Sequence, residues 1–452
     1  MSTRMEGINQ RSLFSETTLN MDIIVPQNNR YRILAKMLPW KELGEIANRY
    51  RAKKVDIHNG RPLNLRLHLG ALIGQSMNRW TDRETEEMVA HHAGVRFLCA
   101  LEFSSETIDH TKIETFRNQL TAKGVEEINQ LVVRTAAKAG FTGSGLCASD
   151  TTVQESPIAH PTEVGHMRNI AAKLVGIGLR MRKGLSEKLG RLDKEVQETF
   201  TRIRLFTRGK EEKAIVQKKK LSEELHRKVS GMRRLIQEKV NGLKGKTKDQ
   251  YQEAMDFYGR IMTQVGYWIK TGFHRSGKIV SLWEKEARAI VRNKAGKVVE
   301  FGRRWIITRL EKGYIIGGPC ERLGGGSDTA IMPAVLEQFE RAMGEMPKMV
   351  VYDRGGDGPK NHLMLEENKI RDAIFRKGEG SLIGFGRNTV LKIRRERALS
   401  EAAIATIKHW RYGFNKPSAR SSDGCVLKGQ AAILGANLSR LTRDWAEASA
   451  IT

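Results

Sequence analysis

From about residue 31 to residue 140, apolar positions recur every three or four residues, the period of helices with one buried face. Thr81-Asp82-Arg83-Glu84 reads as a capping box that starts a helix through Glu87, Met88 and Val89. Asp109 is a second cap, ahead of Ile113, Phe116 and Leu120 at helical spacing. Gly60-Arg61-Pro62 breaks the chain between two helices. The pattern predicts a compact all-helical domain over 31–140, behind a polar, weakly ordered stretch at 1–30.

Gly140 and Gly143-Ser144-Gly145 mark a turn, and a short β-like run, Leu146-Cys147-Ala148-Ser149-Asp150, follows. Helical periodicity returns over 166–270, with an apolar stripe of Leu205, Ile215, Leu221, Leu225, Val229 and Leu235. An antiparallel helical hairpin or small bundle fits, inserted into a larger domain; a coiled-coil spacer with a solvated face is the alternative. Strands are then expected at Ile279–Leu282, Ala289–Val291, Val299–Phe301, Arg304–Thr308 and Tyr314–Ile316. Gly324-Gly325-Gly326-Ser327-Asp328 leads into a helix over 329–343. Next come a strand Met349-Val350-Val351-Tyr352-Asp353, a helix near 359–369, a strand at Ser381–Phe385 and a helix carrying Glu401 to Lys408. The expected class is α+β or α/β: a helical N-terminal domain, then a mixed-sheet domain (141–165 and 271–440) interrupted by the insertion at 166–270, with a tail at 441–452.

Charge sharpens this picture. The 452 residues carry 78 Lys and Arg against 51 Asp and Glu, a net +27. Residues 168–250 alone hold 24 basic against 10 acidic residues, about half of that excess in under a fifth of the chain. Such a charge favours a polyanionic partner, because each cation set against a phosphate releases a condensed counterion. A solvated basic face or a ribosome-associated protein is the alternative. Four scattered cysteines with no C-x-x-C pair support neither a zinc ribbon nor a disulfide framework. With no signal-peptide segment and no apolar run of membrane-spanning length, a soluble protein of the reducing cytoplasm is expected.

Three acidic residues stand out. Asp150 and Asp353 each close an apolar run, and Glu401 opens the helical run Glu401–Lys408. Two strand-end carboxylates and one helix carboxylate can meet at the carboxyl edge of a sheet, where hard oxygen ligands hold Mg²⁺ or Mn²⁺. A lone Asp at a strand end is more often a turn former or cap, and Asp353 heads the turn-like Arg354-Gly355-Gly356-Asp357-Gly358. On a helix, Arg397, Glu401 and Lys408 share one face, a ligand flanked by two cations; an i,i+4 surface ion pair between Arg397 and Glu401 is the alternative. Glu396 competes as the third carboxylate. Gly324–Ser327 lacks the P-loop pattern, so no nucleotide cofactor is indicated. His160 and His166 do not make H-E-x-x-H, and plain loop structure or DNA positioning fits them better than a metal site. Trp410 and Tyr412, beside Lys408, Arg411 and Lys416, either stack on an unpaired base or pack in the core.

Taken together, these segments resemble the DDE transposases of bacterial insertion sequences, built on a ribonuclease-H-like core. Leu63–Trp80, Thr81–Val89, Phe97-Leu98 and Ile108–Arg117 resemble the helical N-terminal domain of one large branch. Ser149-Asp150-Thr151-Thr152-Val153 with Ala159–Glu163 resembles its first catalytic aspartate and the Pro-Thr-acid segment after it, and Tyr352–Gly355 its second aspartate. Arg397, Glu401 and Lys408 match three letters of the Tyr-x2-Arg-x3-Glu-x6-Lys signature, whose Tyr position is Arg394 here. The resemblance implies that Asp150, Asp353 and Glu401 hold two Mg²⁺ (or Mn²⁺) ions. It implies phosphate contacts from Arg397 and Lys408; Arg394, Arg354, Trp410, His160 and Arg411 are further candidate DNA contacts. Double-stranded transposon ends and target DNA are the implied partners, bound by a homodimer in the bacterial cytoplasm at the nucleoid. A decayed or domesticated DNA-binding protein, or a structure-specific nuclease on the same fold, remains open.

Overall fold

The computed structural model describes residues 21–57, 62–102, 107–181, 186–206, 211–294, 297–320, 328–378, 382, 384–419 and 421–451. In chain order its helices and strands are Met21–Ile24 (α1), Arg30–Met37 (α2), Trp40–Arg51 (α3), Leu65–Asn78 (α4), Asp82–His91 (α5), Ala93–Leu98 (α6) and His110–Lys138 (α7), then Cys147–Glu155 (β1). Glu163–Arg180 (α8), Ser186–Leu205 (α9), Glu212–Asn241 (α10) and Gly245–Thr271 (α11) precede Arg288–Lys294 (β2), Lys297–Leu310 (β3) and Ile315–Pro319 (β4). Met332–Met343 (α12), Met349–Tyr352 (β5), Pro359–Glu367 (α13), Arg371–Ile374 (β6), Arg387–Lys408 (α14) and Ser422–Ile451 (α15) complete an α+β fold. The chain divides into two compact units, 1–157 with 303–452, and 158–302. Among the described residues no helix is long and apolar enough to cross a membrane.

In the first unit the strand order is β3-β1-β5-β6, with β4 antiparallel to β3. β1, β5 and β6 run parallel, and Cys147 pairs with Val350 and Ala148 with Val351. Apolar residues of β3, β4 and β5 join the helical core of α2–α7, α12 and α15 in one cluster. The helices predicted over 31–140 form where caps specify them. Thr81 and Glu84 close a reciprocal capping box on α5, and Asp109 accepts the Thr111 N–H at the start of α7. These helices do not stand apart, because α15 lies along α7 and α4. A buried polar network ties that seam: Asn437 donates to Asn129 Oδ1 (2.8 Å) and to the Ile315 carbonyl (2.6 Å), and accepts the Ile315 N–H (2.9 Å).

The second unit holds a four-helix bundle, α8–α11, with its own apolar core, and the antiparallel pairing of β2 with residues 299–302 of β3. The stripe of α10 is Leu221, Leu225, Val229, Met232, Ile236 and Val240, all buried. Leu205 and Ile215, expected in that stripe, are 75% and 58% exposed. Both sit at helix ends, Leu205 closing α9 and Ile215 in the first turn of α10.

Other expectations shift. β1 does not end at Asp150 but continues through Glu155, because Thr151, Thr152 and Gln154 are buried along with Val153. Ile279–Leu282 is irregular, and β6 forms at Arg371–Ile374, where two charged residues masked the strand pattern. The stretch 441–452, expected as a tail, continues α15 to Ile451, with Leu441 and Thr442 buried. Residues 1–20, Gly60-Arg61 and Gly324–Ser327 lie outside the described residues, as does part of Ser381–Phe385.

Candidate active site

The parallel pairing of β1 with β5 sets the geometry. Continuing its register by two positions past Ala148↔Val351 puts Asp150 level with Asp353, at a strand separation of about 4.8 Å. β5 ends at Tyr352, so the pairing stops where the two carboxylates begin. Asp353 caps the short 3₁₀ turn Arg354–Gly356 and accepts the Gly355 N–H (2.8 Å). The turn-forming role of this Asp is therefore real and occupies one carboxylate oxygen.

Beneath the pair lies Tyr352, 1% exposed, whose hydroxyl finds no hydrogen-bond partner. Burial pushes its phenol well up, and the Asp150 and Asp353 carboxylates push it further; Arg304 opposes them. Both carboxylates thus act on one buried phenol. Gly356 is required above it, since a Cβ there would come 2.6 Å from the Tyr352 ring.

Helix α14 packs on β1 and β5. Ile393, Ser400, Ala403 and Ile407 form its buried face, and Ser400 Oγ donates to the Ala148 carbonyl (3.2 Å), two residues before Asp150. Glu401 follows on the exposed side, with Arg397 Nη2 3.6 Å from its Oε1. Glu396, the competing acid, makes a close buried ion pair with Arg309 on β3. Arg394 and Arg354 are exposed, and Lys408 is a half-buried residue ending α14. The Arg397 guanidinium lies 5.4 Å from the Phe375 ring centroid. Trp410 is 73% exposed, whereas Tyr412 packs against the core. Arg411 Nε donates to the Met77 carbonyl (3.3 Å). His160 belongs to the second unit, edge-on to Phe301.

Asp150, Asp353 and Glu401 do not close into a ligand cluster here. Among the described residues, the three ligand atoms lying within 4.8 Å of one another are those of Glu86, Asp109 and His110, where His110 Nδ1 is 2.8 Å from Glu86 Oε2.

One constellation was missed from the sequence. His362 on α13 bridges Asp372 (Nδ1, 2.7 Å) and Asp357 (Nε2, 2.9 Å), and Arg376 pairs with both acids. Asn361 Nδ2 donates to the Gly356 carbonyl (2.8 Å). Together they pin the loop that follows Asp353. The spacing Asp357-x4-His362-x9-Asp372 is the trace this leaves in the sequence.

In the second unit, Glu163 lies 2.6 Å from Lys278 Nζ and 2.9 Å from His274 Nδ1, close pairs that are not aligned as hydrogen bonds. His166, one turn on, is buried with both ring nitrogens unbonded. Burial first, and Lys278 next, push its pKa down to about 4, with Glu163 opposing. The folded bundle therefore keeps His166 neutral down to about pH 4, while the unfolded chain protonates it near pH 6.5. The unfolded state binds more protons in between, so stability falls as pH falls from about 6.5 to 4, by on the order of 3 kcal/mol. Thermal unfolding of the 158–302 unit is expected to move down over that range, and His166→Leu to flatten the dependence. An unchanged slope in the variant would remove His166 as its cause.

With the geometry in place, the comparisons with known proteins add one finding. Residues 19–119 match the family model Transposase domain (DUF772). The matched segment spans α1 to the first turns of α7 and supports a transposase family. No curated protein and no solved structure matches the chain.

Proposed function

We propose that the chain is a DNA transposase of the DDE class, which cuts the ends of an insertion sequence and joins them to target DNA from a ribonuclease-H-like core. One observation carries the reading: the β1–β5 register sets Asp150 level with Asp353, and the helix bearing Glu401 is bonded to β1 two residues before Asp150. The transposase-domain match and the net charge of +27 support DNA as the substrate.

Adjacent carboxylates of this kind fit Mg²⁺ or Mn²⁺, since hard oxygen ligands suit those ions and a cation relieves the repulsion between the acids. When bound, two such ions supply Lewis-acid stabilisation to the attacking and leaving oxygens of an in-line displacement. Asp150 and Asp353 would hold them from the sheet, and Glu401 would complete the set from α14. The Arg397–Glu401 pair is 45% and 61% exposed. Such a pair contributes under about 1 kcal/mol, so Arg397 is readily exchanged to a DNA phosphate, leaving Glu401 for a cation. Lys408, Arg394 and Arg354 hold further phosphates. The helices of 31–140 and the bundle of 166–270 grip the ends, and a dimer holds two ends together.

A second reading, a DNA-binding protein without catalysis, is favoured by the same Arg397–Glu401 pair and by the open arrangement of the three acids. Cleavage decides between them. Labelled terminal-repeat DNA is expected to be cut with Mg²⁺ and left intact with EDTA. Glu401→Gln is expected to lose several kcal/mol of transition-state stabilisation, roughly a thousandfold in rate. Tight binding without cutting by the wild type would favour the second reading. Cutting of branched DNA without strand joining would indicate a nuclease.

A further inference from the structure

The first unit contains a cleft of about 800 Å³ between α2, α14, α15 and the loop after α14. Arg30, His409, Arg411 and Arg443 line it, and no Asp or Glu does. Among the described residues, none of the three guanidinium groups pairs with a carboxylate: Arg30 bonds to Tyr31 Oη and Asn78 Oδ1, and Arg411 to the Met77 carbonyl. Three uncompensated cations around one hollow repel one another unless an anion enters. Ala402 and Ala405 contribute small apolar surface to the lining. Ser439 Oγ, also in the lining, is buried with no hydrogen-bond partner. A charged rim, small apolar walls and an unused hydroxyl together describe a receptor for a group that is anionic at one end and flat or apolar at the other.

We infer that this cleft binds a stretch of single-stranded DNA, its phosphates on the arginines and a sugar or base against the alanine wall. Guanidinium forks match phosphate oxygens in geometry. The volume lies in the range of small-molecule pockets and is too small for a duplex. Ala402 and Ala405 lie on α14 just past Glu401, so the strand would leave the proposed active site along the same helix. The inference rests on the DNA-handling function proposed above and adds to it a path for an unpaired strand.

The test is binding of a fluorescein-labelled single-stranded oligonucleotide to the full chain, by anisotropy in EDTA, so that cleavage plays no part. Arg443→Glu is expected to weaken binding about tenfold and to lower the slope of log K against log salt by about 0.7 for the lost contact. Ala405→Leu narrows the cleft without changing charge or adding a ring on which a base could stack, and is expected to weaken binding at least about fivefold. Lys138→Glu, an exposed reversal at the end of α7, is the control for general electrostatics. Thermal melts of each variant separate misfolding from lost binding. Equal losses in Arg443→Glu and Lys138→Glu, with Ala405→Leu binding like wild type, would overturn the cleft while leaving DNA binding intact. Equal competition by polyglutamate of the same charge would overturn it in favour of an acidic peptide. No DNA binding by the wild type would overturn the transposase reading as well.

Discussion

Replacing Asp150 by Asn is expected to abolish Mg²⁺-dependent cutting of transposon-end DNA, by roughly a thousandfold or more, while leaving DNA affinity within about twofold. The β1–β5 register, continued two positions, sets Asp150 beside Asp353. Two like charges one strand spacing apart, about 5 Å, would repel by up to about 3 kcal/mol at an effective dielectric of 20, an upper bound for a partly solvated pair. Asn keeps an oxygen that can accept the Thr151 N–H and lacks the charge that repels Asp353, so without metal the variant should melt level with wild type. The wild type, in contrast, should gain stability with Mg²⁺ or Mn²⁺, because a ligand that binds only the folded state stabilises it by mass action. The variant should lose most of that gain. Three readouts therefore respond differently: activity down, metal-free melting temperature level, metal-induced shift down. A merely structural Asp would instead lower the melting temperature with and without metal. That result would remove Asp150 from the site.

How far the sequence foreshadowed this arrangement depends on the distance over which each feature is specified. Asp150 and Asp353 were visible because each follows a run of small or apolar residues, a local signal. The extent of β1 was not visible, because Thr151, Thr152 and Gln154 are polar in composition yet buried against neighbouring elements. Caps on α5 and α7 are patterns of three or four residues and were read directly. The bundle core was legible from its period, but its exposed ends, Leu205 and Ile215, were not, since exposure there depends on where neighbouring helices stop. Arg397 and Glu401 do form the i,i+4 pair weighed as the plainer alternative, and Glu396 is held by Arg309, 87 residues away in the chain. The His362 clamp, the Asn437–Asn129 network and the cleft beside α14 went unseen for the same reason. Each depends on which distant segments the fold brings together, and periodicity carries no trace of that.

The largest effect on stability is expected from a position with no side chain at all. A Cβ on Gly435 would lie 2.1 Å from the Ser76 carbonyl oxygen and 2.7 Å from its carbon. The obstacle is the backbone of α4, so no rotamer change relieves it. Alanine in a helix normally gains up to about 1 kcal/mol over glycine. Here overpacking should outweigh that gain, giving a net loss of roughly 2–4 kcal/mol for Gly435→Ala and more for Gly435→Val. Gly231, inside α10, is the comparison: a Cβ there meets nothing within 4 Å, so Gly231→Ala should stabilise its bundle by a few tenths to about 1 kcal/mol. Chemical denaturation of the three variants measures both signs. A neutral Gly435→Ala would mean that α15 can move off α4 without loss, and that the seam is not closely packed. That seam joins α4, inside the transposase-domain match at 19–119, to the C-terminal helix through Ser76 and Met77. Met77 also lines the arginine cleft, and its carbonyl holds Arg411. Gly435→Ala, measured below its unfolding transition, should therefore weaken single-strand binding as well as stability.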